Sequence, residues 1–242
     1  MGTLDWQAAL AYAGGVAEGE AMTETEWLEC TDPQKMLTFL RGKASERKLR
    51  LFAVACCRRI GRLLRTKALQ MAVEVSEQRA DGLVPAGQLA KVAQAIEHVW
   101  PGNGDFTLES YPQIAALFCA AKGKRELRSV AFYAAMASGV GEKKKQIRLL
   151  HDIFGNPFRA MPPKRGSRKW LAQLRSWQTW NGGTIPKLAQ GIYDERAFDR
   201  LPVLADALED TGCDNADILS HLRGPGPHVP GCWVIDLLLG KG

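Results

Sequence analysis

Cys213, His221, His228 and Cys232 are the residues of this chain whose types could together hold a metal ion. Zinc takes about four nitrogen or sulfur ligands in a tetrahedron, and two thiolates with two imidazoles meet that need. The intervals hold seven, six and three residues, which match no common zinc finger. Gly224-Pro225-Gly226-Pro227 is the turn that would have to bring the four together. The plainer reading has no cofactor: Cys213 and Cys232 are small core residues, and His221 is a charge at a helix C-terminus.

A second chemistry is anion binding. At about 100° per residue, Leu49, Phe52, Ala53, Cys56, Ile60, Leu63 and Leu64 share one face of a helix over 45–64. Arg47, Arg50, Arg58, Arg62 and Arg65 fall opposite, with Leu51 and Val54 among them, so a further element is expected to cover part of that face. Guanidinium groups in such a row suit phosphate. Lys143, Lys144, Lys145, Lys164, Arg165, Arg168 and Lys169 form another basic block, interleaved with Trp170, Trp177 and Trp180, which have the shape to stack on bases. Segments 41–67 and 143–175 would then make a nucleic-acid track. No helix-turn-helix, zinc-finger or RNA-recognition phrase accompanies them. The ends, 1–40 and 181–242, are net acidic, so pairing within the fold is the plainer expectation, with the tryptophans in the core.

Catalytic constellations are weaker. His151 and Asp152 are sequence neighbours and point in different directions on a helix. Asp194-Glu195 and Glu209-Asp210 read as surface acids. Cys56 lies on the apolar face and Cys57 at its edge, where a thiolate is disfavoured; a reactive Cys57 is the alternative. WNGGT (180–184) lacks the lysine of a phosphate loop and reads as a helix stop followed by a helix start. An enzyme is therefore not the expected class.

The elements that must position these residues are helices. The chain has 242 residues, 46% of them apolar, enough to bury a core without disulfides. Helical periodicity dominates, and no stretch alternates as a strand does. Thr23 with Glu26 forms a capping-box pattern, and Asp32-Pro33 opens the next helix. Further helices are expected near 67–80, 86–99, 110–121, 124–138, 142–154, 170–180, from Thr184, over 199–211, from Asp214 to Leu222, and over 232–239. The fold class is all-α: a compact array of about ten short helices, with a division into two lobes at the basic Pro/Gly loop 155–169. The lobes would be 22–154 and 170–242. The six cysteines, the lack of a basic N-terminal leader and the absence of an apolar run near 18 residues suit a reduced, cytoplasmic protein away from membranes.

The phrases TETEWLECTDPQKMLTFLRGKASERKLRLFAVACCRRI (23–60), DIFGNPFR (152–159), WNGGT and the run from Ile192 to Gly242 resemble a large paralogous group of planctomycete proteins. Those proteins are alike at both ends and differ in an alanine-rich middle. The resemblance implies a usual start at Met22, which makes 1–21 an extension, and it brings no catalytic residue set. ADALEDTG (205–212) is loosely similar to a companion module found beside leucine-rich repeats. The implied role is a non-enzymatic accessory module acting on a protein partner, with nucleic-acid binding as the alternative.

Overall fold

The computed structural model describes residues 21–99, 110–121, 123–159 and 168–241. Thirteen α-helices and three short 3-10 turns make up their regular structure, with no strand among the described residues. The fold is all-α. The chain divides into two compact units, Met1–Leu150 and His151–Gly242. The division falls inside a helix, ahead of the 155–169 stretch, of which residues 160–167 lie outside the described residues. The extension over 1–20 and the Pro101-Gly102-Asn103-Gly104 turn also lie outside them.

The first unit holds α1 (Glu24–Glu29), α2 (Pro33–Phe39), α3 (Glu46–Arg59), α4 (Lys67–Ala80), α5 (Ala86–Val99), α6 (Tyr111–Cys119), α7 (Lys124–Ser138) and most of α8 (Glu142–Phe154). Local chemistry starts them. Thr23 and Glu26 cap each other's backbone reciprocally, and Asp32 accepts from the Gln34 N–H at 3.0 Å with Pro33 in the first turn. Ser45 and Thr66 accept the Lys48 and Leu69 N–H groups in the same way.

The α3 helix is the centre of this unit, packed by α4, α6 and α7. Every residue from Leu49 to Cys57 is buried, so Leu51 and Val54 are covered as their types require. The expected arginine face is covered at Arg50 and exposed at Arg58, Arg62 and Arg65. Arg50 is 1% exposed; its guanidinium donates to Ser76 Oγ, Glu46 and the carbonyls of Cys119 and Ala121. Those carbonyls end α6, where the last turn has no helical donors, so Arg50 caps a helix from the side.

The second unit holds the last turn of α8, then α9 (Arg168–Thr179), α10 (Thr184–Glu195), α11 (Leu201–Asp210), α12 (Ala216–Arg223) and α13 (Trp233–Leu239). Their inner faces meet in one core that includes Trp177, Ile185, Leu204, Leu208, Ile218, Leu222 and Ile235. Trp170 and Trp177 are buried in it, ring to edge at 5.6 Å, so these two are core residues and present no face for a base. Asn181, Gly182 and Gly183 have φ of 45°, 67° and 82°, which reverses the chain between α9 and α10. Thr184 is the first residue of α10 and no cap. Asn215, one residue past the expected Asp214, caps α12 by accepting from the Ile218 N–H at 3.1 Å. No helix of the described residues is long and apolar enough to cross a membrane.

Candidate metal centre in the second unit

Four elements of the second unit bring their ends together. Asp152 comes from the last turn of α8, His221 from the last turn of α12, His228 from the loop after it, and Cys232 from the residue that precedes α13. One donor atom from each lies within 4.8 Å of all the others. Asp152 Oδ1 is 2.7 Å from His228 Nδ1 and 3.2 Å from His221 Nε2, and Cys232 Sγ is 3.1 Å from that same Nε2. Asp152 Oδ2 accepts the Val229 N–H at 3.0 Å. Cys232 is fully buried, and the side chains of Asp152, His228 and His221 are 3%, 10% and 16% exposed.

The loop is built for this approach. Gly226 has φ +72°, and a Cβ there would sit 2.9 Å from the His228 backbone nitrogen, so glycine alone fits. Gly155, φ +61°, clears the ring of Trp233, which in turn lies 5.3 Å from the His221 ring. Arg159 ties the turn after α8 to Asp217 of α12 at 2.8 Å.

His228 Nε2 lies 3.2 Å from the Gly224 carbonyl, which only accepts, so Nε2 is the donor. In a neutral ring Nδ1 then aims a lone pair at the Asp152 carboxylate. A proton on Nδ1, or a cation shared by the two groups, makes that contact favourable. Burial pushes the Asp152 carboxyl up, but hydrogen bonds from His221 and His228 outweigh it and hold the group below the ordinary carboxylate range. Burial pulls His228 down, and Asp152 outweighs that to leave it raised.

The arrangement suits a shared cation better than a proton relay. In a nucleophilic triad the base turns one ring nitrogen to the nucleophile and the other to the carboxylate. Here the thiol and the carboxylate both meet Nε2 of His221. A carboxylate, two imidazoles and a cysteine sulfur converging on one point could hold a metal ion, and a backbone carbonyl on the second nitrogen of His228 is the usual outer support of such a ligand.

Three of the four ligands expected from sequence are in this group. Cys213 is not: it follows α11 and is buried in the core of the unit, where burial pushes its thiol up. Asp152 stands in its place. The sequence did carry a signal, since an acid in the last turn of a helix opposes the helix dipole and calls for a partner.

The arginine track is largely consumed inside the first unit. Arg47 pairs with Asp81 at 3.0 Å, Arg58 with Glu77 at 2.6 Å, and Arg50 is buried. Arg59, outside the expected set, pairs with Glu142 at 2.6 Å. Arg62 and Arg65 are exposed, as are Lys143, Lys144, Lys145 and Arg168. Lys164, Arg165 and the side chain of Lys169 lie outside the described residues. Cys57 is buried with Cys56; a hydrogen bond with Cys119 and burial raise its thiol, which removes the reactive reading. None of the six cysteines is in a disulfide. No protein-family model, curated protein or solved structure matches the chain.

Proposed function

We propose that the chain is a non-enzymatic accessory module for a protein partner, with its second unit held together by a structural zinc ion on Asp152, His221, His228 and Cys232. The convergence of these four donors within 4.8 Å carries the reading. Zinc accepts carboxylate, imidazole and thiolate in a four-coordinate site, and a site with four protein ligands keeps no position for water or substrate. Charge favours it too: a divalent cation with one carboxylate and one thiolate is neutral, so the centre can be buried without a net charge. Cysteines without disulfides suit a reducing compartment such as the cytoplasm.

Metal analysis of untagged protein tests this reading. One zinc per chain is expected, with cobalt substitution giving a thiolate-to-metal absorption band that Cys232→Ser removes. A protein that binds neither ion after dialysis against micromolar metal would refute the zinc site. Turnover of a substrate, abolished by a single substitution, would refute the non-enzymatic role.

A further inference from the structure

Arg59 at the last turn of α3 and Glu142 at the first turn of α8 lie 83 positions apart and are joined by two hydrogen bonds, of 2.6 and 3.2 Å. That contact seats the end of the first basic segment against the start of the second. Glu142 is 2% exposed and also accepts from the Ser138 hydroxyl, so this acid is buried and already paired. Around the pair the chain places exposed cations: Arg62 and Arg65 just beyond α3, then Lys143, Lys144 and Lys145 directly after Glu142, and Arg148 one turn on from Lys144. None of these six has an acidic partner among the described residues. The opposite face of α8 is buried through Gln146, Leu149 and Leu150, which fixes the basic face outward.

We infer that this junction, and not the paired or buried Arg47, Arg50 and Arg58 of α3, is a surface that binds the phosphate backbone of nucleic acid. Six cations without an acidic partner among the described residues, with no exposed aromatic beside them and only Leu63 and Val140 as exposed large apolar neighbours, bind chiefly by releasing counterions. A polyelectrolyte supplies that effect in a way a folded acidic protein, with its sparser charge, does not. Binding of this kind is to the backbone, since phosphate contacts position a protein and carry no sequence information.

Fluorescence anisotropy with a labelled 20-base-pair duplex and the zinc-replete full chain tests the inference. If about four phosphates are neutralised, affinity falls roughly 100-fold between 50 and 200 mM KCl. Lys144→Glu with Arg148→Glu is expected to weaken binding at least tenfold at 50 mM. Lys35→Glu with Lys91→Glu, an equal charge change on exposed positions of α2 and α5, is expected to change it less than threefold. Should the Glu variant misfold by circular dichroism, Lys144→Gln with Arg148→Gln is expected to lower the salt slope by about two. Equal losses in both pairs, no binding at 50 mM, or binding to phosphatidylserine vesicles without binding to the duplex each overturn it.

Discussion

Removing zinc with EDTA is expected to lower the melting temperature of the second unit, and the size of the shift follows from linkage. A ligand that binds only the folded state, present at about a thousand times its dissociation constant, stabilises by about 4 kcal/mol. The unit spans His151–Gly242, a size at which each kcal/mol moves the midpoint by about 4–8 °C. A shift of about 15–30 °C results. The unit is expected to stay folded without the ion, because Trp177, Ile185, Leu204, Leu208 and their neighbours form a core of their own. His221→Ala isolates the metal contribution. In EDTA it loses the contact with Asp152 and costs about 1–2 kcal/mol, because Asp152 keeps His228 and the Val229 N–H. Zinc is then expected to move its midpoint by only about 2 °C, since three remaining ligands hold the ion far less tightly. Far-UV circular dichroism with a fluorescence readout of the unit's tryptophans follows both. Identical melting of the unsubstituted protein in zinc and in EDTA would refute the reasoning.

Gly226→Ala is expected to destabilise by about 1–2 kcal/mol from its left-handed backbone, and to weaken zinc binding because its Cβ would press on the His228 backbone. A competition titration against a chromophoric chelator measures the second effect, and unchanged affinity would count against the loop's role. Arg50→Met leaves the Ala121 carbonyl without its donor and the Cys119 carbonyl with the Ser76 hydroxyl alone, and is expected to cost about 1–3 kcal/mol by urea unfolding. A loss below about 1 kcal/mol would mean the packed methionine compensates. In the folded, zinc-loaded protein a thiol-specific reagent is expected to find Cys30 alone, because it is the one cysteine that is not buried. Rapid labelling of a second thiol would contradict that. Burial raises the Cys56 thiol, so at alkaline pH the unfolded chain gives up this proton before the folded one does. The thiol's contribution is complete below about pH 8.5 and falls away as pH rises beyond it, and Cys56→Ala is expected to flatten that limb of the stability curve. An unchanged alkaline limb would show that other groups set it.

Much of the helix map was legible because helix ends are local. The Thr23–Glu26 box, Asp32-Pro33 and Ser45 act within three residues of themselves, and α4, α5, α7 and α8 run over the ranges their periodicity predicts. His221, His228 and Cys232 were legible as ligands by type, with a turn of glycine and proline between them to close the distance. Asp152 was not. Its partners lie 69, 76 and 80 positions away, and its nearest neighbour in sequence, His151, directed attention to a pairing that helix geometry forbids.

The arginine helix shows the same division. Sequence periodicity placed Arg47, Arg50 and Arg58 on one side of α3, but periodicity speaks only of angle around one axis. Which side meets water depends on what packs there, and α4, α6 and α7 enclose nearly the whole circumference. Residue types and short-range capping thus determined that this chain is helical, and largely where each helix begins and ends. Whether a charge is a surface or a cap, and whether three scattered candidate ligands meet a fourth, was decided by contacts between residues tens of positions apart. Such contacts depend on how faces of several helices fit in three dimensions, which no window along the chain contains.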